Sequence, residues 1–252
     1  MGSRLGFDED EEQARLEVIV RQYAAPETSA TEREMERYVA ERSVEHVRGP
    51  TVLMLGAATG AWAVPLLKRF QRFEVVDAVA DAVEGLVARY PGAITGHVAL
   101  FETFEPKRRY DTVVLGHVLE HVVDPVLILR RVRTWLVSQG RVVITVPNAM
   151  SLHRLIGVEL GYLEAPTAFS SADISLGHRR VYTEEDLAAQ VAAAGFHLTT
   201  LTGIGLKPLS NAQMDGWSPE LRQAWRTLGD RLPDFTCVLL GVAQNPESLD
   251  AR

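Results

Sequence analysis

Residues 51–62 read Thr51-Val-Leu-Met-Leu-Gly56-Ala-Ala-Thr-Gly60-Ala-Trp62. An apolar run that leads into a turn of small residues is typical of a buried strand followed by a helix. In such a unit the backbone N–H groups of the turn can approach a ligand at the carboxyl end of the strand. The stretch therefore predicts an α/β fold with a ligand site where its first strand ends.

The glycine spacing in this turn disfavours a dinucleotide cofactor. A dinucleotide fingerprint requires G-x-G-x-x-G, and Ala58 and Ala61 occupy its second and third glycine positions here. A reductase that uses a nicotinamide cofactor is therefore disfavoured. Gly56 and Gly60 could also be simple turn glycines, so the loop needs a second observation.

Asp77 supplies that observation. It ends the next predicted strand, Phe73-Glu-Val-Val-Asp77, about 20 residues beyond the loop, where a carboxylate can accept hydrogen bonds from both ribose hydroxyls. The same side chain could instead cap a helix that starts near Ala80. Spacing and position together favour a ligand that contains a nucleoside.

Beyond residue 49, short apolar runs alternate with helical segments, a pattern that predicts a mainly parallel sheet. Asp124-Pro125 and Thr183, followed by acidic residues, mark two helix starts. Residues 8–48 are charged and carry helical spacing, with Leu16, Ile19, Val20 and Tyr23 on one stripe, and they predict two helices broken near Pro26. The predicted strands are 51–56, 73–77, 94–98, 111–116, 141–146, 197–204 and 235–243.

Composition limits the partners and the location of the chain. Its 252 residues include 26 Lys plus Arg against 33 Asp plus Glu, a formal net charge of −7, and we find no basic patch that would bind nucleic acid or an anionic membrane. The single cysteine, Cys237, lies in an apolar run, which predicts a small buried residue and no intrachain disulfide. No run approaches the ~18 apolar residues of a membrane span, and the acidic N-terminus lacks a signal-peptide pattern. We therefore expect a cytoplasmic location.

Taken in order, several motifs resemble the class I S-adenosylmethionine-dependent methyltransferases. The similarity is greatest to the branch that includes the ubiquinone-biosynthesis O-methyltransferases, and it covers about residues 50–200. It implies a Rossmann-like, doubly wound, mostly parallel seven-stranded sheet and S-adenosylmethionine as the cofactor. The motifs are Val52-Leu53, Gly56, Gly60, Asp77, Tyr110-Asp111-Thr-Val-Val-Leu-Gly-His117-Val-Leu-Glu-His121-Val-Val-Asp-Pro125 and Gly140-Arg-Val-Val-Ile-Thr-Val-Pro147-Asn148.

The resemblance also implies positions for the cofactor. In the family the first loop passes under the methionine part, the acid after the second strand holds the ribose, and the end of the fourth strand lies beside the methionine. The adenine is expected to pack on apolar side chains, because the segment after the third strand lacks the usual acid. The implied cofactor residues are Gly56, Ala57, Gly60, Asp77, Leu100, Phe101, Gly116 and His117.

Two departures from the family pattern lie in the first loop. The family usually has an acid two residues before the first glycine, where this chain has Met54, and a glycine at the position of Ala58. Loss of the acid removes a polar anchor near the methionine ammonium. These departures motivate an alternative in which the chain is a non-catalytic binding or regulatory module.

The domain organisation follows from these patterns. We predict an N-terminal helical cap, 1–48, and a methyltransferase domain, 49–252, with insertions after the fifth strand, 147–182, and before the last strand, 207–234. The first insertion is too long for an ordinary connection, so we expect it to cover the acceptor. A partly apolar small-molecule acceptor is suggested by insertion residues that could also form core or a homodimer interface: Leu155, Tyr162, Phe169, Leu206, Met214 and Trp217.

The chemistry favours histidine as a general base. Methyl transfer from a sulfonium is an in-line displacement that needs alignment and no metal, whereas a hydroxyl or protonated amine acceptor must lose a proton. His121 and His178 are the candidate catalytic residues, with His153 a weaker one, although His121 could orient a loop and His178 could brace the insertion. His117 and His121 are four apart but lack the H-E-x-x-H pattern, so we predict no metal.

The charged neighbours of these histidines leave two choices open. Glu120 could orient an imidazole or cap a turn, and Arg179 and Arg180 could bind a carboxylate or phosphate of the acceptor or be solvated surface charges. The resemblance implies a methyltransferase of secondary metabolism that acts on the oxygen of a small molecule. An N-methyltransferase is the nearest alternative.

Overall fold

The protein contains a seven-stranded sheet. Its structure is a computed structural model that describes residues 8–23, 29–57 and 59–246. The strands are β1 Val52–Leu55, β2 Phe73–Asp77, β3 Ile94–Val98, β4 Tyr110–Gly116, β5 Leu136–Pro147, β6 His197–Ile204 and β7 Val238–Gln244. Their order is β3-β2-β1-β4-β5-β7-β6, and only β7 runs antiparallel to its neighbours. The order reverses direction between β1 and β4, where open α/β sheets bind their ligands. The predicted doubly wound, mostly parallel sheet is confirmed.

Helices cover both faces of this sheet. Those before β4 are α1 Glu9–Tyr23, α2 Ala30–Val44, α3 Ala63–Leu67 and α4 Ala80–Arg89. The later ones are α5 Pro125–Trp135, α6 Leu152–Glu159, α7 Ser171–Ser175, α8 Glu184–Ala193, α9 Asn211–Met214 and α10 Pro219–Leu228, with 3₁₀ turns at Gly229–Arg231 and Pro233–Phe235.

The predicted helix starts are confirmed by their caps. The Asp124 side chain accepts a hydrogen bond from the Leu127 N–H, and Thr183 forms a capping box with Asp186. The predicted break near Pro26 and the side chain of Tyr23 lie outside the described residues. The first insertion contains the short helices α6 and α7, and the second contains α9 and α10.

Two strand boundaries were wrong. β5 begins at Leu136, immediately after α5, because Leu136 pairs with Tyr110 of β4 before the register shifts. Gly140 therefore lies inside a strand. The last strand starts at Val238 instead of residue 235, since residues 233–235 form a 3₁₀ turn.

The central strands are buried on both faces, as parallel strands between helical layers require. Leu53 of β1 packs on the side of α5 and α8, and Met54 packs on the side of α2, α3 and α4. Helix α2 contributes Val39 and Val44 to the second cluster, so it forms part of the core. The division of the chain at residue 48 stays a prediction. Within the described ranges, no helix is long and apolar enough to cross a membrane.

Candidate active site

A cavity of about 670 Å³ opens where β1, β2 and β4 end, and its size is typical of small-molecule sites. Its walls come from the first loop, the ends of these strands, α1, α2 and both insertions. The structure brings all the predicted cofactor-binding residues and both main catalytic candidates into this wall, namely Gly56, Ala57, Gly60, Asp77, Leu100, Phe101, Gly116, His117, His121 and His178.

The first loop has a backbone conformation that favours glycine, and a backbone hydrogen bond holds it in place. Gly56 and Gly60 have φ angles of +86° and +74°, which side chains rarely tolerate. The Gly56 N–H donates to the Val76 carbonyl at 2.9 Å, so the loop is tied to β2. Gly116 has a different reason to be glycine, because a Cβ there would lie 2.5 Å from the Trp62 ring.

Asp77 makes the contact with the start of α4 that the sequence suggested, and a second contact, with the first loop, that the sequence did not suggest. Its Oδ1 accepts a hydrogen bond from the Val79 N–H at 2.9 Å, at the start of α4, and its Oδ2 accepts from the Ala57 N–H at 2.7 Å. The carboxylate thus ties the helix start and the loop to the end of β2. Because each carboxylate oxygen accepts more than one hydrogen bond, a side chain in this wall can also bind a ligand hydroxyl.

The half-buried His117 and the buried Glu120 form a pair at the end of β4. His117 has a φ of +56°, unusual for a non-glycine residue, and its Nδ1 lies 2.9 Å from Glu120 Oε1. Burial disfavours the imidazolium, but the hydrogen bond and charge of Glu120 outweigh it and raise the pKa of His117. Burial likewise works against the Glu120 carboxylate, yet His117 lowers its pKa. Glu120 therefore orients the imidazole of His117.

A second carboxylate–histidine pair was missed by the sequence reasoning. His178 Nδ1 lies 2.9 Å from Asp173 Oδ1, while Asp173 Oδ2 accepts hydrogen bonds from Arg154 Nη1 at 2.9 Å and from Ser170 Oγ at 2.6 Å. Burial alone would raise the pKa of Asp173, but these hydrogen bonds lower it. An ionised Asp173 places the proton of His178 on Nδ1 and leaves Nε2 as a proton acceptor.

His121 packs edge-on against His178, with ring centroids 4.9 Å apart. Burial lowers the pKa of His121 to about 4, so it is neutral at physiological pH. Ligand atoms of Glu120, His121 and His178 lie within 4.8 Å of one another, a donor set that could hold a transition metal. This set differs from the pair considered in the sequence, His117 and His121. The absence of a metal from the site stays a prediction.

Arg179 and Arg180 do not belong to the cavity wall. Arg180 Nη1 donates to the carbonyls of Leu119 and Val122, both at 2.6 Å, and Arg179 donates to the His121 carbonyl and to Glu12. Each guanidinium therefore stabilises the loop after β4. Neither interpretation made from the sequence, acceptor binding or free solvation, describes them.

The predicted apolar lining of the acceptor side was wrong. The described wall includes none of Leu155, Tyr162, Phe169, Leu206, Met214 and Trp217. Leu206 and Met214 are buried in the protein, whereas Tyr162 is 76% exposed because its segment faces outward. The apolar wall comes instead from the N-terminal helices, with Leu16, Ile19 and Val20 of α1 and Met35 and Val39 of α2.

A polar group closes the acceptor side. It comprises Asn148, His153, Lys207, Asn211 and Cys237. Lys207 Nζ donates to Asn211 Oδ1 at 2.8 Å, and burial lowers the pKa of Lys207. Burial also lowers the pKa of His153 well below its ordinary value. Cys237 is buried, as expected from its apolar run.

The strand order, the reversed β7 and the cavity beside Asp77 define the doubly wound class of nucleoside-binding α/β proteins. Residues 28–201 match the family described as "Methyltransferase domain", so the chain belongs to that family. The chain therefore carries an S-adenosylmethionine-dependent methyltransferase domain. The nicotinamide reductase and the non-catalytic module are thereby set aside.

Relatives in sequence and structure agree with this assignment. The chain is 33% identical over 106 residues to a ubiquinone biosynthesis O-methyltransferase of Aeromonas salmonicida, a match that covers 41% of this chain and 42% of the relative. The fold is shared with the N-methyltransferase NodS of Bradyrhizobium japonicum bound to S-adenosyl-L-homocysteine, at a TM-score of 0.58, 16% identity and coverages of 92% and 98%. It is also shared with the 1,6-didemethyltoxoflavin-N1-methyltransferase of Burkholderia thailandensis. That comparison has a TM-score of 0.59 and 16% identity, and it covers 94% of this chain and 88% of the other.

The wall of the cavity fits S-adenosylmethionine. Gly56 and Gly60 have positive φ angles and present bare backbone to the cavity, and the Asp77 carboxylate lies in the wall where a ribose is expected. Leu100 and Phe101 add apolar surface to the same wall. Met54, the departure from the family pattern, is buried at 2% exposure, and Ala58 lies outside the described residues.

Proposed function

We propose that the enzyme methylates a hydroxyl oxygen of a partly apolar small molecule, with His178 as the general base. The Asp173–His178 pair carries the proposal, because it lies in the same cavity as the loop and Asp77. A hydroxyl is a weak nucleophile until its proton is removed, and a histidine with one nitrogen fixed by a carboxylate removes such protons well.

On the cofactor side, we propose that Gly56, Ala57, Gly60, Gly116 and His117 position the methionine part, that Asp77 binds the ribose, and that Leu100 and Phe101 pack on the adenine. The cofactor supplies an electrophilic methyl group on a sulfonium. The loop and strand ends fix the position of that group, and the surrounding apolar side chains exclude water from it.

On the acceptor side, Asp173 orients His178 so that Nε2 accepts the hydroxyl proton as the new carbon–oxygen bond forms. His121 is neutral and packs edge-on against the ring, so it restricts the rotation of His178. The apolar surface of α1 and α2 suits the body of the acceptor. Lys207 offers a hydrogen-bond donor to a carbonyl or carboxylate at its polar end.

The alternative acceptor is an amine. A neutral amine attacks without prior loss of its proton, so it needs no base as strongly oriented as His178. The related ubiquinone biosynthesis O-methyltransferase supports oxygen, while NodS supports nitrogen. A role in secondary metabolism, a cytoplasmic location and a homodimer stay part of the proposal.

Transfer of a labelled methyl group tests this function. The purified protein is incubated with ¹³C-methyl S-adenosylmethionine and a metabolite extract, and the products are identified by untargeted mass spectrometry and carbon NMR. We expect a methoxy carbon signal in the product. A methyl group on nitrogen would contradict the choice of acceptor, and S-adenosylhomocysteine formed without any labelled product would contradict the small-molecule acceptor.

A further inference from the structure

We propose that Glu36 of α2 binds the methionine ammonium of the cofactor and replaces the acidic side chain that Met54 lacks. The proposal rests on the family's cofactor and not on the identity of the acceptor. Met54 is apolar and buried in the core cluster, so the position that usually carries the acid offers no charge. The ammonium therefore needs a partner from another element.

Helix geometry directs Glu36 into the cavity. Glu32 and Glu36 are four residues apart, which places them on one face of α2, and both line the cavity. Arg33 and Arg37, each one position further along the helix, are exposed. The core contacts of Met35 and Val39 fix the rotation of α2, so Glu36 cannot leave the wall without disturbing that packing.

Glu36 lies between the segments that are expected to hold the methionine part. Its Oε2 accepts a hydrogen bond from Thr59 Oγ1 at 3.3 Å, inside the first loop. His117, at the end of β4, is close enough for its charge to favour the Glu36 carboxylate. Both contacts belong to the cofactor side of the cavity, whereas Glu32 accepts from Asn211 of the acceptor side at 3.4 Å.

The charge balance around Glu36 favours a cationic ligand. Across residues 8–23, 29–57 and 59–246, no Lys or Arg forms a salt bridge with Glu36. Burial raises the pKa of this carboxyl, and the charge of His117 opposes the rise. A cation placed against such a carboxylate forms a charge-assisted hydrogen bond in a partly dehydrated site.

Two ligands that differ in the amino-acid part test the proposal. S-adenosylhomocysteine carries the ammonium, and 5′-methylthioadenosine keeps the nucleoside but lacks the amino acid. In titration calorimetry, we expect Glu36→Gln to weaken binding of S-adenosylhomocysteine by roughly 10- to 100-fold. Binding of 5′-methylthioadenosine should change less than twofold, which also shows that the variant is folded.

Glu32→Gln is the matched control, one turn earlier on the same face of α2. It should leave the affinity for both ligands within twofold of the wild type. Equal losses for the two ligands in Glu36→Gln, or no loss for S-adenosylhomocysteine, would overturn the proposal. If the wild type itself binds 5′-methylthioadenosine but gains nothing from the amino-acid part, the ammonium site is absent. If it binds neither ligand, the cofactor assignment fails together with it.

Discussion

The two sides of the cavity are built in different ways. The cofactor side lies at the carboxyl ends of β1, β2 and β4, and comprises Gly56, Ala57, Gly60, Asp77, Gly116 and His117. The acceptor side, which comprises Arg154, Asp173, His178 and Lys207, comes from segments that fold back over the sheet. Sheet order fixes the first side, while buried side-chain contacts hold the second. Substitutions on the acceptor side should therefore lower kcat, whereas substitutions on the cofactor side should weaken cofactor binding.

The largest effect is expected from the acceptor side. His178→Ala should lower kcat by roughly 100-fold or more, because the hydroxyl proton loses its acceptor. Asp173→Asn should lower kcat in the same direction, since an amide no longer fixes the proton on Nδ1. Steady-state kinetics measure kcat, and calorimetry should show S-adenosylhomocysteine affinity within twofold of the wild type.

The control for these variants is His197→Gln on the exposed start of β6, which should keep the kcat of the wild type. A loss of cofactor affinity equal to the loss of kcat would remove the distinction between the two sides. Wild-type kcat in His178→Ala would leave catalysis to alignment alone and return His178 to a bracing role.

The next effect is expected from the cofactor side. Asp77→Ala should weaken S-adenosylhomocysteine binding by roughly 10- to 100-fold, because hydrogen bonds to the ribose and the tie to Ala57 are lost together. Calorimetry measures the affinity. Asp81→Ala, in the exposed first turn of α4, is the control and should bind normally. Unchanged affinity in Asp77→Ala would show that the carboxylate serves only the start of α4.

A smaller effect concerns stability at acidic pH. His121 has a pKa of about 4 in the folded protein against about 6.5 unfolded, so the unfolded state binds more protons between these values. The free energy of unfolding should therefore fall as pH drops below 6.5, by about 1 kcal/mol from this residue between pH 6.5 and pH 5.5. Urea unfolding of the wild type and His121→Gln at several pH values measures this contribution.

In that series, His121→Gln should lose part of the slope between pH 6.5 and 4. Equal slopes in the wild type and His121→Gln would mean that His121 is accessible to protons in the folded state. The packing of His121 against His178 would then not be the rigid contact described above.

No effect is expected from metal removal. Dialysis against a chelator should leave kcat unchanged, because in-line methyl transfer with a histidine base needs no Lewis acid. Metal analysis before and after dialysis serves as the control. A loss of activity that Zn²⁺ or Mn²⁺ restores would assign Glu120, His121 and His178 to a metal centre instead of a base.

The cofactor side could be predicted from the sequence because its signals are local. The signals lie at or just after the ends of apolar strands, at Gly56, Gly60, Asp77 and Gly116. The carboxyl ends of parallel strands meet at one edge of the sheet. Their meeting in one cavity therefore required only the strand pattern. The sequence did not predict the hydrogen bond from the first loop to Asp77, whose carboxylate also accepts one from the start of α4.

The acceptor side could not be predicted in the same way. The pair of Asp173 with His178 depends on how residues 148–182 fold, and hydrophobic periodicity does not contain that information. One local signal was available, because Ser170-Ser-Ala-Asp173 has the spacing of a capping box, which predicts the start of α7. Glu36 gave no signal, because a charged residue in a charged helix is normally exposed to water.

The reversed direction of β7 has a consequence for how such a site can diversify. Val238, its first residue, pairs with both Pro147 and Ile204, the last residues of β5 and β6. The segment 205–237 therefore leaves the sheet and returns to it at the rim of the cavity. Its length can change without altering any strand pairing, since loop closure depends only weakly on length. Exchange of this segment, which carries Lys207 and Cys237, offers a route to new acceptors while the cofactor side keeps its sequence.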